Sequence, residues 1–462
     1  MIEIAPIETP SLGDRSYLAT DGAEAIVIDP QRDIDRMLAA AESRGVRITH
    51  VFETHIHNDY VTGGLALARA VGAAYHVSGG DQVGFERIRV ADGDQIGAGQ
   101  MRVHVIGTPG HTFNHLSYAV EHAGRMVAAF TGGSLLNGST GRTDLLGHEH
   151  TLELARAQHS SARKLASQLP LDALVCPTHG FGSFCSATPT SGAASTISME
   201  MMVNPALTLA EADYVESTLA ALDVYPAYYA HMAPANAAGP LAPDLSPPRQ
   251  ADSTDLRRRI DAGEWVVDLR SRRAFAAGHV RGTIPFELGD NLTTYLGWLI
   301  PWGTPLTLLG QSRAEVAAAQ RDLARIGIDH LQAAAAGGPD AWSGGEELSR
   351  YPVTDFAGYA RAREHREFIL LDVRRRSEWE GARIAGALHI PLHELPGRVA
   401  EIAAGEIWVH CQGGYRSSVA AGLLDAAGRD VVLIDDDFSS AEEAGLASPG
   451  AVFSSWYHDS GS

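Results

Sequence analysis

The sequence of 462 residues is poor in cysteine and lysine and has no long apolar run. Its three cysteines are odd in number and far apart, which excludes a disulfide framework and a CxxC zinc knuckle. No window of about 18 apolar residues is free of polar side chains, and no basic segment followed by an apolar one opens the chain. These absences predict a cytoplasmic protein without a membrane partner.

The net charge of the chain is strongly negative. Lys and Arg total 36 against 56 for Asp and Glu, which gives a formal net charge of −20. Because such a balance repels phosphate backbones, we expect no nucleic-acid partner, although a local basic pocket remains compatible with a small anion. The length corresponds to about three domains of about 150 residues each.

The first 190 residues alternate short β-branched runs with helical patterns. Runs such as AIVIDP, THVFET and ALVCPTH end in His, Thr or Pro, and segments such as IDRMLAAAESRG have helical periodicity. This pattern predicts a layered α/β domain with polar side chains collected at strand ends, where α/β folds usually build their sites. Residues 232–253 are rich in Pro and Ala and predict a linker or an extended arm.

After the linker the chain repeats itself. Val266–Arg270 (VVDLR) returns as Leu370–Arg374 (LLDVR), and the two aspartates, Asp268 and Asp372, lie one small domain apart. Each copy continues into a buried strand, a loop and an Ala-rich helix. The sequence therefore predicts two copies of one α/β fold.

The loop of the second copy carries a cysteine in a glycine-rich setting. Two glycines allow several backbone N–H groups to point at one place, at the positive end of the following helix. Such a cradle stabilises an anion, so we predict that Cys411 is a catalytic nucleophile rather than a buried structural thiol. The predicted substrate-binding residues of this loop are Gln412, Gly413, Gly414, Tyr415, Arg416 and Ser417.

These features resemble the rhodanese family. CQGGYR is similar to the six-residue active loop with which that family carries sulfur as a cysteine persulfide, and the GARIAGALHIP segment also matches. The first copy departs from the pattern, because Gly310 stands where the cysteine would be and the loop is two residues shorter. The resemblance implies a pseudo-rhodanese at residues 250–355 and a rhodanese with Cys411 at 356–462.

Histidines and one carboxylate form the second group of candidate site residues. The HxHxD spacing of THIHNDY brings His55, His57 and Asp59 within reach of one metal ion. His111 in TPGHT and His179 in PTHG each follow a predicted strand. A lone histidine at a strand end usually caps or hydrogen-bonds, but this set together predicts a metal pocket.

The N-terminal part resembles the metallo-β-lactamase fold, an αββα sandwich, and more narrowly the persulfide dioxygenases that are fused to rhodaneses. LGDRSYLA, THIHNDYVTGG, TPGHT, GRTDLLG and HGFGSFC carry the similarity. The resemblance implies a domain over residues 1–245 with iron(II) on two histidines and a carboxylate, oxidising a thiol persulfide to sulfite with dioxygen. The matching histidines here are His55 and His111.

The carboxylate of that family is missing. This chain has Gly133 at the ligand position, and Tyr60 replaces a histidine that is common in the wider fold. Three alternatives remain: a three-histidine site on His55, His57 and His111, recruitment of Asp59 or His179, or no metal. A set without the carboxylate suits zinc at least as well as iron.

Two further residues have competing interpretations. Arg142 could form a bidentate pair with a substrate carboxylate such as that of glutathione, or a structural ion pair with Asp144. Cys185 could approach a persulfide sulfur or be a buried inert thiol, and Cys176 belongs to an apolar run that predicts a core position.

The sequence thus predicts a sulfur-handling fusion enzyme, an αββα sandwich followed by two rhodanese-like domains. We expect a thiol persulfide or thiosulfate as substrate and a homo-oligomer, a dimer or tetramer. The main alternative is a metal-free scaffold that carries one working sulfurtransferase. A metal-dependent thioester or lactone hydrolase is the weaker alternative, since it gives no reason for a fused rhodanese.

Overall fold

The structure is a computed structural model that describes residues 2–188, 190, 192 and 194–449. This part of the chain divides into two compact units. One runs to Leu245 and includes Arg321–Asp329, and the other takes Ser246–Gln320 and the described residues from His330 onward. Among the described helices, none is long and apolar enough to cross a membrane. The three predicted domain boundaries stay predictions.

Two six-stranded sheets build the N-terminal unit. The strands of the first sheet, in spatial order, are Glu3–Thr9, Asp14–Thr20, Glu24–Ile28, Arg47–Phe52, Ala74–Ser78 and Ile88–Val90. The second sheet has the order Ser195–Thr196, Leu174–Pro177, Arg125–Gly132, Leu116–His122, Met101–Gly107 and Gln95–Ala98. The first sheet is antiparallel over three strands and then parallel, as β-strand and helix alternation predicts.

Alternate side chains of the two sheets meet in one apolar core. Tyr17, Ile26 and Phe52 of the first sheet pack with Tyr118 and Phe130 of the second. Helices cover the outer face of each sheet. The strand residues whose side chains point to that face are also apolar and pack against the helices. The helices of this unit are Asp35–Glu42, Gly64–Val71, Thr151–Gln168, Ile197–Val203, Pro205–Thr208, Glu211–Ala221 and Tyr229–Ala238, with a 3-10 turn at His148–His150. The predicted αββα sandwich is confirmed.

The predicted linker over residues 232–253 is wrong in its first part. Tyr229–Ala238 is a helix with Pro234 inside it, and residues 239–252 belong to no helix or strand. The helix is held by the buried Asn236, whose amide donates to the backbone carbonyls of His57 (2.9 Å) and Tyr60 (2.8 Å). A tertiary contact therefore orders a segment whose composition suggests a linker.

Two parallel sheets in the second unit reproduce the internal repeat. The first has the order Ile284–Pro285, Trp265–Asp268, Leu306–Gly310 and Leu331–Ala336. The second has the same order in Leu388–His389, Ile369–Asp372, Ile407–His410 and Val431–Ile434, with Val353–Thr354 added at its edge. Ala382–Ile384 and Ala447–Pro449 form a separate antiparallel pair. The two copies thus share one sheet topology.

Helices surround both sheets. Those of the first copy are Ser253–Asp261, Arg272–Ala277, Leu292–Leu299, Arg313–Arg325 and Pro339–Ser343. Those of the second are Phe356–Ala362, Arg376–Gly381, Leu395–Arg398, Tyr415–Ala426 and Phe438–Glu443, with a 3-10 turn at Val399–Glu401.

A buried ion pair is repeated in the two copies. Arg270 donates to Asp268 at 2.6 Å, and Arg374 donates to Asp372 at 2.7 Å. Each arginine also donates to a backbone carbonyl eight residues further on. Identical contacts at equivalent positions are what a duplicated fold predicts.

Candidate functional site

The polar loops of the N-terminal unit converge at the ends of strands. His55, His57 and Asp59 follow the strand Arg47–Phe52, His111 follows Met101–Gly107, and His179 follows Leu174–Pro177. All five side chains are buried. The structure therefore brings together the five residues that the sequence predicts as metal ligands.

Three of these histidines form a compact set of donors. One donor atom from each of His55, His111 and His179 lies within 4.8 Å of the other two. The Nε2 atoms of His55 and His179 are 3.4 Å apart. His57 falls into a second set with Asp59 and His179. The structure thus groups His179, rather than His57, with His55 and His111.

The outer nitrogens of the three rings are occupied by the protein. Nδ1 of His55 contacts the Thr54 hydroxyl at 2.9 Å, and Nδ1 of His111 donates to the Arg142 carbonyl at 2.7 Å. Nδ1 of His179 lies 2.9 Å from Asp14 and 3.0 Å from a carboxylate oxygen of Asp59. Such contacts orient an imidazole and leave Nε2 for a metal.

The donor set fits a divalent metal ion. Nε2 of His111 is buried and has no hydrogen-bond partner among the described residues. Burial, with the neighbouring His179, lowers the pKa of His111 to about 3, and burial places the pKa of His55 well below its usual value. Both rings are therefore neutral, which is the form that binds a metal. An unsatisfied buried nitrogen costs free energy that a bound ion would recover.

The space beside Gly133 is already filled by protein atoms. A Cβ atom on this residue would lie 2.3 Å from Cδ2 of His111, so the imidazole ring fills the space of a side chain. The Gly133 N–H donates to Nε2 of His115 at 3.0 Å, and its carbonyl accepts from Gln158 at 3.0 Å. This site therefore differs from one that has merely lost a carboxylate ligand, because the His111 ring packs into the space where a side chain at position 133 would lie.

The sequence did not identify several residues that support the site. Asp29, whose backbone has a φ of 49°, accepts hydrogen bonds from the Thr54 N–H and hydroxyl, both at 2.7 Å. Asn236 holds the loop after His57, and Asp14 orients His179. Asp29 could have been suspected because it directly follows an apolar run, whereas Asn236 lies among alanines and gives no local signal.

Arg142 is buried, and all three nitrogen atoms of its guanidinium donate hydrogen bonds. Nε and Nη2 donate to Asp144, each at 2.7 Å, and Nη1 and Nη2 also donate to the carbonyls of Phe184 (3.1 Å) and Asp223 (2.6 Å). The guanidinium lies 4.4 Å above the Tyr225 ring. This geometry matches the structural alternative, and the substrate-binding role stays a prediction.

We expect Arg142→Ala to lower the free energy of unfolding by about 3 kcal/mol, because it removes the hydrogen bonds from Arg142 to a half-buried carboxylate and to two backbone carbonyls. Urea denaturation measures this change. A variant that keeps wild-type stability but raises KM for a glutathione-derived substrate would instead assign Arg142 to substrate binding.

The two other thiols are buried. Burial raises the pKa of Cys176 to about 12 and raises that of Cys185 well above its usual value. Cys185 contacts the Tyr229 hydroxyl at 3.8 Å. Both side chains are therefore protonated, and Cys176 packs between the sheets as predicted.

The cysteine loop of the second unit connects the strand Ile407–His410 to the helix Tyr415–Ala426. Gly414 has a φ of 88°, and a Cβ atom there would lie 2.3 Å from Asp435, so only glycine fits. Cys411 is nearly buried, and the Ser417 hydroxyl donates to its Sγ at 3.4 Å. The thiol thus lies at the N-terminus of a twelve-residue helix.

Arg416 fixes the end of this loop. Its guanidinium donates to Glu378 through two hydrogen bonds of 2.6 and 2.7 Å. Although burial opposes the charged form, the Arg416 contact lowers the pKa of Glu378 to about 2. The pair is a bidentate ion pair of the type that holds geometry most firmly.

We expect Glu378→Gln to reduce sulfur transfer about tenfold, because the loop loses its bidentate anchor. In the wild type this ion pair contributes stability above the unfolded pKa of 4.5, and the contribution is lost as pH falls toward the folded value of about 2. Urea denaturation midpoints of the wild type and the variant, measured from about pH 6 down to about pH 2.5, check this. An equal loss of stability with falling pH in the two proteins would contradict this prediction.

A small pocket lies beside Arg416. It is lined by Tyr295, Trp298 and Leu299 of the first copy and by Val373, Arg375, Leu392, His393 and Arg416 of the second. Trp298 stacks on His393 at 5.1 Å. The pocket has room for a group of about the size of one water molecule.

The first copy has a different loop. Helix Arg313–Arg325 begins three residues after Gly310, and the carboxylate of Glu315 accepts from the Gln311 N–H at 2.7 Å. The chain's own carboxylate therefore occupies one donor that an anion cradle would need. The pseudo-rhodanese at residues 250–355 stays a prediction.

Family models match two parts of the chain. Residues 14–179 match the Metallo-beta-lactamase superfamily, and residues 357–444 match the Rhodanese-like domain. A crystal structure of a metallo-beta-lactamase from Staphylococcus aureus subsp. aureus COL superposes with a TM-score of 0.65 at 26% identity, covering 73% of this chain and 99% of that one.

Curated relatives carry two different names. Persulfide dioxygenase ETHE1, mitochondrial, of Bos taurus is 30% identical over 211 residues, which is 44% of this chain and 73% of that protein. Hydroxyacylglutathione hydrolase of Polaromonas sp. is 34% identical over 162 residues, which is 34% of this chain and 58% of the hydrolase. The chain therefore belongs to the metallo-beta-lactamase superfamily, with an N-terminal domain homologous to persulfide dioxygenase ETHE1 and a C-terminal rhodanese-like domain.

Proposed function

We propose that this chain is a sulfur-metabolism fusion enzyme with two chemistries. The N-terminal site oxidises a low-molecular-weight thiol persulfide to sulfite, and the rhodanese-like domain transfers sulfane sulfur through Cys411. One observation carries the proposal: a converging set of buried histidines in an ETHE1-like domain and a cradled cysteine occur in the same chain.

The histidines His55, His111 and His179 would hold the metal, with iron(II) as the proposed ion and zinc(II) as the alternative. Bound iron(II) supplies the redox chemistry that dioxygen requires. In the overall reaction, RSSH, O₂ and H₂O give RSH, sulfite and two protons, so the outer sulfur loses four electrons and dioxygen gains them.

The protein itself keeps this pocket dry and keeps His55 and His111 neutral. His55, His111 and His179 are at most 1% exposed, so water is excluded from their donor atoms. Asp14 and Asp59 hold the outer nitrogen of His179. Although burial opposes the charged form, His179 lowers the pKa of Asp59. The negative charge of Asp59 is an indirect substitute for a carboxylate ligand, because a carboxylate raises the basicity of the imidazole it holds.

At the second site, Cys411 Sγ attacks the outer sulfur of thiosulfate or of a persulfide. A new S–S bond forms on Cys411 while the S–S bond of the donor breaks, and sulfite or a thiolate leaves with the electron pair. The Ser417 hydroxyl donates to Sγ, and Arg416 supplies positive charge beside the pocket.

Oxygen consumption tests the first half of the proposal. Iron(II)-loaded protein given glutathione persulfide is expected to consume about one O₂ per sulfite formed, as the balanced reaction requires. Metal-free protein is the control. Absence of uptake by protein that carries stoichiometric iron would refute the dioxygenase activity.

Two alternatives predict different measurements. A metal-free scaffold with one working sulfurtransferase predicts no bound metal and full sulfur transfer, which elemental analysis would detect. The hydroxyacylglutathione hydrolase relatives favour hydrolysis of a glutathione thioester. Zinc-loaded protein that releases glutathione from such a thioester, without oxygen uptake, would support that function instead.

A further inference from the structure

One short segment of the N-terminal unit comes from far along the chain. Arg321–Asp329 follow Ser246–Gln320, which belong to the other unit, yet they are part of the unit that holds the histidines. The segment contains the last turn of the helix Arg313–Arg325 and the loop after it. The N-terminal unit is therefore built from two separate stretches of the chain.

The helix Arg313–Arg325 ends against two loops of this unit. The last carbonyls of a helix have no partner in the helix itself. Here the Arg325 carbonyl accepts from the Val61 N–H at 2.7 Å. The Ala324 carbonyl accepts from Nη1 of Arg32 at 3.0 Å, which also places a positive charge at the negative end of the helix dipole. The loops that contain Val61 and Arg32 therefore cap the helix.

The Arg325 side chain makes a second, charged contact within the unit. Its Nη2 donates to Asp33 at 2.7 Å, and both side chains are buried. Although burial opposes the charged form, hydrogen bonds from Arg325 and Arg36 lower the pKa of Asp33. Loss of Arg325 would therefore leave the charge of Asp33 buried without full compensation.

Arg32 holds the far end of the segment. Its guanidinium donates two hydrogen bonds to the Asp329 carboxylate, one of them 2.8 Å long. Arg32 is itself buried, and it follows Gln31, whose backbone pairs with that of Thr62. The loop of Arg32 and the loop of Thr62 are therefore joined to each other as well as to the segment.

Both loops carry residues of the histidine site. The first begins with Asp29, which accepts hydrogen bonds from the N–H and the hydroxyl of Thr54. On the second, Val61 lies shortly after Asp59, whose carboxylate faces Nδ1 of His179 at 3.0 Å. A shift of either loop would therefore change the orientation of the proposed metal ligands.

We propose that Arg321–Asp329 is a positioning segment for the metal site and that Arg325 is its main positioning residue. The segment holds the two loops through the Val61 N–H, Asp33 and Arg32, and it thereby fixes the distances between the donor atoms of the histidines. A stretch of the first copy thus serves the histidine site. This inference rests on the metal site of the proposed function, but not on which reaction occurs there.

The metal affinity of the full-length protein tests the role of Arg325. Wild type and Arg325→Ala are loaded with cobalt(II) alone, and chelator competition measures the dissociation constant. We expect about tenfold weaker binding by Arg325→Ala, which is the size of loss that follows removal of groups that hold metal ligands. Arg325→Lys keeps a positive charge beside Asp33 and should recover part of the affinity. Equal affinity of the wild type and Arg325→Ala would overturn the proposal.

Leu165→Ala is the control for a general loss of stability. Leu165 is buried in an apolar cluster that contains none of the residues Arg321–Asp329. Its truncation leaves a cavity and is expected to lower the melting temperature, but to keep the cobalt affinity and visible spectrum of the wild type. The spectrum of Arg325→Ala is expected to change, because it reports the arrangement of the ligands. An equal loss of affinity in Leu165→Ala would overturn the proposal.

If Arg325→Ala does not fold, Asp33→Asn decides the question. It keeps the shape of the side chain and removes the charge that Arg325 contacts, so weaker cobalt binding is expected, and wild-type affinity would overturn the proposal. No persulfide or dioxygen is used. Absent oxygen uptake therefore leaves this result intact, while absence of cobalt from the wild type overturns the metal site and this inference with it.

Discussion

Replacing Cys411 with serine is expected to lower kcat/KM for sulfur transfer from thiosulfate by at least about 10³-fold, because no other group can carry the covalent sulfur. A serine hydroxyl accepts the hydrogen bond from Ser417 and preserves the loop, but it does not form a persulfide. With cyanide as the sulfur acceptor, thiocyanate or sulfite production measures the loss, and mass spectrometry of the wild type should show one added sulfur on the peptide that contains Cys411.

The matched control is Cys185→Ser, which removes a buried thiol of the N-terminal unit. This variant is expected to keep sulfur transfer, since the Cys185 thiol is buried and contacts the Tyr229 hydroxyl of its own unit. Transfer that survives in Cys411→Ser would remove Cys411 from the mechanism, and transfer that disappears in Cys185→Ser would show that the loss is not specific to Cys411.

Local sequence sufficed to predict the cysteine loop. Strand Ile407–His410, the loop and helix Tyr415–Ala426 are contiguous, so glycine placement and helix polarity already specify the cradle. Its anchor, Glu378, was not predicted, because the ion pair joins residues 38 positions apart. The rhodanese-like and metallo-beta-lactamase folds were both confirmed, since each carries several motifs at strand ends.

The histidine site was only partly predictable. Strand-end position identified His55, His111 and His179, but their grouping depends on which ring nitrogen each partner occupies. Those partners, such as Asp14 and the Arg142 carbonyl, come from distant segments. Local spacing made His57 as good a candidate as His179, and only the distances between donor atoms group His179 with His55 and His111.

The replacement Gly133→Asp is expected to lower metal affinity at least about 100-fold, although it restores the carboxylate that related dioxygenases are expected to have. The new Cβ would lie 2.3 Å from Cδ2 of His111, closer than such atoms approach in proteins. Position 133 is pinned by the hydrogen bonds to His115 and Gln158, so the ring of His111 must move instead. Overpacking of this kind also costs about 1–3 kcal/mol of stability.

Gly133→Ala separates the steric effect from the charge. Both variants carry the crowding Cβ, so both are expected to lose metal, with the alanine variant losing less because it adds no buried charge. Iron analysis after anaerobic loading measures the metal content of each variant. Chelator competition measures its metal affinity, and urea denaturation measures its stability. If Gly133→Asp gained iron and oxygen uptake while Gly133→Ala lost them, the missing carboxylate would be the limiting feature, and the three-histidine set would not be the native metal site.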